Sequence, residues 1–302
     1  MYKASVILAS YNRLNLLKNL LDSLAKQDIP LDQFEVIVVD NGSTDGSREF
    51  LRDFKPPYSF QYYQLEGNPG PAKARNLGVK NAQSEIVFFT DDDCVVPINW
   101  ISSYFKVLGK HSEVTAVGGY QRAPEEILKT NSLAQYEWFI SSKIYGVSDQ
   151  EYIGGFETPG VVTNNMAIRK VAFEKVGCFD EEFVVAAGED ADLKKRLIDS
   201  GYKLMYYPLG VEHHHRYDLN RFIQQSFFRG IGSRHFQKKY NLDYSNSQLL
   251  RMMVITPLQS FFKILGVSKR LNFALIAALG EFYGLRGQLN YCSFVKRKGK
   301  IL

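Results

Sequence analysis

Cysteine is scarce in this chain. Cys94, Cys178 and Cys292 are three among 302 residues, an odd number without CxxC spacing. That argues against a disulfide framework and a thiolate zinc site, and it fits a reducing compartment. HExxH spacing is also missing, so nothing points to a zinc peptidase. The first residues, Met1 to Leu8, lack the longer apolar core of an export signal and read as a strand entered almost at once. Long apolar runs are absent further on. Leu249 to Leu265 and Leu271 to Tyr283 are apolar helical segments interrupted by Pro257, Lys263, Lys269 and Arg270, short of the roughly 20 uninterrupted residues of a spanning helix. Nor does one sign of charge dominate. The formal net charge is +5 and the basic residues form no aromatic-interleaved strip, which argues against nucleic-acid binding.

What is present is a globular composition, 45% hydrophobic and 23% charged, with enough length for one large domain and an appendage. Ser5-Val6-Ile7-Leu8-Ala9 is a buried-strand run. It is followed by the loop Ser10-Tyr11-Asn12-Arg13 and by leucines at helical spacing, Leu14, Leu17, Leu20, Leu21 and Leu24. Phe34 to Val39 is a second strand, ending in the polar, glycine-rich loop Asp40 to Ser47 that opens another helix. Near-continuous apolar strands alternating with helices predict a parallel sheet covered on both faces, with ligands beyond the carboxyl ends of the strands.

The most informative stretch is Phe88-Phe89-Thr90-Asp91-Asp92-Asp93-Cys94, where an apolar strand stops at three adjacent carboxylates. Three neighbouring acids repel one another and need positive charge nearby. A hard divalent cation held with substrate phosphates supplies it, as does an ordinary solvated turn or helix N-terminus without a ligand. Between the two acidic loops, Gly67 to Gly78 is a turn-rich segment running into a helix with Lys73 and Arg75 near its start. Basic residues there suit a phosphate or a base, since a helix start offers free N–H groups, and they equally suit a plain surface helix. Val114 to Gly119 reads as a strand and Leu133 to Tyr145 as a helix, followed by a mobile loop at Gly154 to Gly160. Asn164 to Arg169 is a short strand, and Glu189-Asp190 sits where a helix with Leu193 and Leu197 on its buried face begins. A strand at Tyr202 to Tyr207 closes this part, and Val211-Glu212-His213-His214-His215 follows it. Strand alternation turns His213 and His215 one way and His214 the other; His213 and His215 suit a metal shell, a hydrogen bond to substrate, or packing.

The constellation resembles the inverting family 2 glycosyltransferases with the GT-A fold. The resemblance rests on Ser5 to Arg13, Val38 to Ser47, Gly70 to Gly78, Thr90 to Asp93 and Gly188 to Asp190, in family order across residues 3 to 215. It implies an α/β fold: a mostly parallel, Rossmann-like nucleotide-binding sheet flanked by helices, with a helical C-terminal appendage. It also implies a nucleoside-diphosphate sugar as donor and a divalent cation, Mn²⁺ or Mg²⁺, at Asp91-Asp92-Asp93. Asp93 is the first choice of ligand. Asp91 suits metal or ribose, and Asp92 suits a ligand or a structural neighbour. The catalytic base falls on Asp190, with Glu189 orienting substrate or base. Asp40 is expected to recognise the nucleotide base, with the Ala9-Ser10-Tyr11 loop, Arg13 and Arg75 beside the nucleotide. A uracil-containing donor is favoured on the resemblance alone, and thymine offers similar hydrogen-bonding edges.

The expected organisation is a catalytic domain over 1–215, divided into a nucleotide-sugar half at 1–119 and an acceptor half at 120–215, and a helical region over 216–302. Gln224 to Arg229 lacks the Arg-Trp pair of the QxxRW element of processive synthases, which favours transfer of single sugars. The acceptor is expected to be a glycan or a lipid-linked saccharide in bacterial-type surface glycan assembly. The expected location is the cytoplasm or the inner face of the plasma membrane. The C-terminal helices, and the run Lys296-Arg297-Lys298-Gly299-Lys300, suit a membrane interface, a homo-oligomer contact or ordinary packing. Two other readings differ in class. A nucleotidyltransferase predicts a glycine-rich phosphate loop after the first strand, which Ser10 to Arg13 lacks. A non-catalytic sugar-nucleotide or glycan-binding module would tolerate loss of Asp190.

Overall fold

In the computed structural model, which describes residues 3–298, the apolar runs become strands of one sheet. In chain order these are β1 (Ala4–Ser10), β2 (Phe34–Asp40), β3 (Ser59–Gln64), β4 (Ile86–Asp91), β5 (Cys94–Val95), β6 (Val114–Arg122), β7 (Tyr152–Gly154), β8 (Asn165–Arg169) and β9 (Lys203–His213). Met1, Tyr2, Gly299 and Lys300, which the expected first strand and basic tail include, lie outside the described residues.

The sheet order is β3-β2-β1-β4-β8-β6-β9-β5, with β7 paired to β9. The pairs β2–β3, β1–β2 and β1–β4 are parallel. Beyond β4 the sheet is mixed, because β8 runs antiparallel to both β4 and β6 while β6 and β9 are parallel. Alternate residues of each central strand enter opposite cores. Val6, Leu8, Val36, Val38 and Phe88 pack with Leu17, Leu20, Trp100 and Tyr104 on one face. Ile7, Ile37, Val87 and Phe89 pack with Val79, Phe173, Phe179 and Leu197 on the other. Each such buried side chain contributes about 1.5–3 kcal/mol, so a strand carrying apolar residues on both sides is driven to the middle of the sheet.

Register levels the strand ends. Ser10 lies opposite Asp40, and Ala9 opposite both Val39 and Asp91. Ala9 and Ser10 are therefore strand rather than loop, since both continue the ladder of β1, and the loop starts at Tyr11. The chain leaves β1 towards β2 on one side and β4 adjoins it on the other. This is a topological switch point, where a crevice opens outside the carboxyl ends. β6 and β9 run on past the ends expected for them, to Arg122 and His213, because Tyr120, Gln121 and Arg122 pair with Gly210, Val211 and Glu212.

The chain forms two compact units. The sheet unit comprises residues up to Pro124, Ser141–Glu181 and Asp190–His215; the second comprises Glu125–Ile140, Glu182–Glu189 and residues from Arg216 onward. The second unit is built on the helices Leu219–Lys239, Asn246–Ser268 and Leu271–Lys298. Pro257 does not interrupt the middle helix as expected. Ser245 and Gln248 form a reciprocal capping box at its start, and Lys269 closes it in the left-handed conformation. A proline removes one backbone donor, which a capped helix of 23 residues absorbs.

Glycines set the crossing of the first and third of these helices. A Cβ on Gly230 would lie 1.8 Å from the Gly284 carbonyl oxygen, and one on Gly287 would lie 2.1 Å from that of Phe227. The two backbones therefore touch with no side chain between them. Gly230→Val should force them apart, at a cost of about 1–3 kcal/mol. We expect a lower melting midpoint by circular dichroism; an unchanged midpoint would show that the crossing is not close-packed.

Candidate active site

The crevice at the switch point is built from acids and the two arginines that hold them. Asp92, in the turn after β4, is buried with both oxygens engaged. Its Oδ2 accepts from Ser10 Oγ at 2.9 Å and from the Tyr11 N–H at 3.2 Å, and its Oδ1 accepts from Arg13 Nη1 at 2.7 Å. The same Arg13 Nη1 lies 2.7 Å from Asp93 Oδ2. Arg13 thus stands between two carboxylates that would otherwise repel. Burial pushes the Asp92 carboxyl up, with Arg13 opposing. Burial also works against charge on Asp93, yet His213, Arg13 and His215 hold its carboxyl below the usual range.

His213 reaches Asp93 because β5 pairs antiparallel with the end of β9, putting Cys94 opposite His213. The His214 N–H also donates to the Asp93 carbonyl at 2.7 Å. Asp93 Oδ1 is buried and pairs with His213 Nε2 at 3.3 Å. The rings of His213 and His215 meet edge to face with centroids 4.3 Å apart, while His214 turns away to Glu212 at 3.1 Å. Asp93, Cys94 and His213 place one ligand atom each within 4.8 Å of one another. A divalent cation fits here. A carboxylate oxygen beside an imidazole nitrogen is an O,N donor set of the kind Mn²⁺ accepts.

The second arginine serves the other acids. Arg75 is buried in the helix Pro71–Asn81, where Pro71 at the first turn suits the helix start. Its Nη2 donates to Asp91 Oδ1 at 2.8 Å, and its guanidinium lies 5.8 Å from the Phe179 ring. Burial raises the Asp190 carboxyl, Arg75 opposes that rise and Asp91 adds to it. The structure thus brings together Asp91 from the end of β4, Arg75 and Asp190 from the start of the helix Glu189–Asp199. Asp190 Oδ2 also accepts from the Thr163 N–H at 3.4 Å. Glu189 is buried and belongs to the helical unit.

Asp40, at the end of β2, is fully buried. Its oxygens accept from the Ser43 N–H at 3.1 and 3.2 Å and from Arg48 Nε at 3.0 Å. The loops after β1 and β2 are tied directly: Asn12 N–H donates to Ser43 Oγ at 2.9 Å, and Thr44 N–H to Asn12 Oδ1 at 2.7 Å. Tyr11, beside this tie, is left 41% exposed.

Three residues that the sequence reading did not single out shape the site. Asn165 is fully buried with its amide saturated: Oδ1 accepts from Trp100 Nε1 and Tyr104 Oη, and Nδ2 donates to the carbonyls of Tyr120 and Leu209. A polar residue opening an apolar strand was its only signal. Gly119 allows this convergence, since a Cβ there would lie 1.9 Å from the Leu209 carbonyl oxygen. Lys194, one turn beyond Asp190, donates to the Thr158 carbonyl, with Nζ 5.6 Å from the Phe156 ring. Burial pushes its ammonium down to about 8, against Glu157 and Asp190.

Comparison with known proteins agrees with this architecture. The model of the glycosyl transferase family 2 matches residues 5–177, and the chain belongs to that family. Over 94 residues it is 44% identical to the poly(ribitol-phosphate) beta-N-acetylglucosaminyltransferase TarS of Staphylococcus aureus, a match covering 31% of this chain but only 16% of TarS. The mannosyltransferase PcManGT of Pyrobaculum calidifontis, solved with GDP-Man and Mn²⁺, has a TM-score of 0.63 at 19% identity, covering 99% of this chain and 86% of that one. Residues 1-349 of S. aureus TarS, solved with UDP-GlcNAc, give 0.52 at 17% identity, covering 97% and 92%. The fold is GT-A.

Removing Arg13 should leave Asp92 without its counter-charge and Asp93 with the histidines alone. Arg13→Ala is expected to destabilise the protein by about 3 kcal/mol, the scale for breaking a largely buried pair. Urea unfolding would measure this, and a loss below about 0.5 kcal/mol would mean that the arginine is a surface partner only.

Proposed function

We propose that the chain is an inverting glycosyltransferase that moves one sugar from a nucleoside-diphosphate donor to an acceptor hydroxyl. The observation that carries this reading is the meeting of Asp190 with Asp91 and Arg75 beside the acidic turn. Carboxylates from distant parts of the chain come within electrostatic reach of one another there, which supports one as proton acceptor and the others as a phosphate-side cluster.

Asp190 is the base. A carboxyl raised by burial holds a proton more tightly than an ordinary aspartate, which suits it to taking one from an alcohol as the oxygen attacks. Attack by that oxygen on the anomeric carbon, from the side away from the diphosphate, inverts the configuration without a covalent intermediate. Arg75 keeps Asp190 and Asp91 compatible in one site and orients both. Asp93 and His213 would hold a divalent cation, with Asp91 and His215 beside them. Bound there, the cation would neutralise the departing diphosphate. Asp92 acts by fixing Ser10, Tyr11 and Arg13 as the wall of the nucleotide pocket. Tyr11 offers its exposed ring to the base. Contact between the base and Asp40 requires the Arg48 bridge to yield, and a uracil or thymine imide N–H is the donor that such a carboxylate would accept.

The relatives support a sugar-nucleotide donor without choosing it, since one solved neighbour holds UDP-GlcNAc and another GDP-Man. The acceptor we favour is a glycan or lipid-linked saccharide of surface-glycan assembly, handled on the cytoplasmic side of the plasma membrane.

Thermal stabilisation by a panel of UDP-, dTDP- and GDP-sugars with Mn²⁺ or Mg²⁺ tests the donor, because a ligand that binds the native state raises its stability. One class should stabilise selectively and only with metal present; no shift from any member would count against the reading. Asp190→Asn should reduce transfer by at least about a thousandfold, at or beyond the usual contribution of a positioned base, with donor stabilisation retained. Loss of donor binding in that variant would move Asp190 out of the base role. Excess chelator should abolish transfer by the unaltered protein, and full turnover in its presence would remove the cation from Asp93 and His213.

A further inference from the structure

The helical unit carries apolar surface that its own packing leaves uncovered. Leu250, Val254, Leu258 and Phe262 recur every four residues along the helix Asn246–Ser268. With ~3.6 residues per turn they occupy one face, which Ile255 widens. All five are exposed, Val254 and Phe262 each by 67%. Leu249 and Ile264, which lie off this face, are buried. An exposed apolar face of this length belongs against a partner or in lipid. This one is long and apolar enough to cross a membrane by length and composition, and its most apolar window is only 6% buried. The next helix repeats the pattern, with Leu271, Leu275 and Phe282 exposed at spacings of four and seven.

Charge identifies the cover. Between residues 246 and 296 the sole acid is Glu281, against Arg251, Lys263, Lys269, Arg270, Arg286 and Lys296. All six basic residues are exposed in the structure. A second protein surface would have to supply both a matching apolar face and a surplus of acid; this unit could not offer that surplus to a copy of itself. An anionic bilayer supplies both at once, with acyl chains for the leucines and phosphates for the lysines and arginines. Arg251 and Lys263 sit within the helix, about three turns apart, where crossing the hydrocarbon would bury them, whereas lying in the interface leaves both heads at the phosphates.

We propose that the helices Asn246–Ser268 and Leu271–Lys298 form a membrane-docking surface that lies in the interface of an anionic bilayer. It is separate from the crevice of the sheet unit and does not depend on the transferase reading.

Flotation of the full chain with vesicles of phosphatidylcholine and phosphatidylglycerol in equal amounts tests the surface. Partitioning should exceed that on pure phosphatidylcholine by about tenfold or more, and high salt should reverse it. Leu258→Glu with Phe262→Glu, and separately Lys263→Glu with Lys269→Glu, should each lower partitioning by about tenfold. Both pairs are exposed, so donor-induced thermal stabilisation or, failing any donor, the circular dichroism melt should match the unaltered protein. Three results would overturn the proposal: no flotation of the full chain, equal flotation on neutral vesicles, or a lipid-free dimer that Leu258→Glu with Phe262→Glu converts to monomer. The last would assign the face to a second copy of the chain.

Discussion

Like charges at close range, held by a fixed counter-charge, are what the sheet unit depends on. Asp91, Asp92 and Asp93 follow one another at the end of β4, and Asp190 joins them from another part of the chain. Arg13 bridges two of these acids, and Arg75 pairs with Asp91 and offsets the charge of Asp190. Each arginine is placed by secondary structure that the apolar sequence determines: Arg13 by the end of β1, Arg75 by a helix packed on the sheet. The acidic cluster exists because hydrophobic burial holds its counter-ions in position. The gain on folding comes from the strands, and part of it is spent on crowding carboxylates into one crevice.

Division of labour among the three adjacent acids follows from backbone direction. Asp91 ends the strand and turns to Arg75. Asp92 points back under the loop after β1 and is fully occupied there. Asp93 faces the histidines, with Oδ1 paired to His213. A run of identical residues thus holds three environments, and the position of each carboxylate's charge differs accordingly.

Much of the sheet was legible in the chain itself. β1, β2 and β4 are continuous apolar runs, and a two-faced apolar strand has few places to go except the middle of a covered sheet. β3 was not read, because Ser59–Gln64 mixes Ser and Gln with aromatics and is only half-buried at the sheet margin. The antiparallel course of β8 was also hidden, since direction depends on which distant strand it meets. The same holds for His213: its approach to Asp93 depends on a two-residue pairing between β5 and β9 that no local pattern announces. Pro257 misled in the other direction, because local propensity argued for a break and capping with packing carried the helix through. Tyr11, Arg13 and Arg75 were visible as polar residues at the right edge, but not as one arginine bridging neighbours and another shared with Asp190, because electrostatic partners are a property of the assembled fold.

The reversal of β8 has a consequence for how such a chain can change over time. β6 ends, and β8 begins, at the same margin of the sheet as Asp40 and Asp91, so everything between Arg122 and Asn165 departs from and returns to one edge. Apart from β7, which pairs with β9, and the stretch from Thr158 to Thr163, which touches Lys194 and Asp190, that excursion can be lengthened, shortened or exchanged while the register from β3 to β4 stays as it is. Variation can therefore accumulate in the rest of that segment while the acids gathered around Arg13 and Arg75 keep their places.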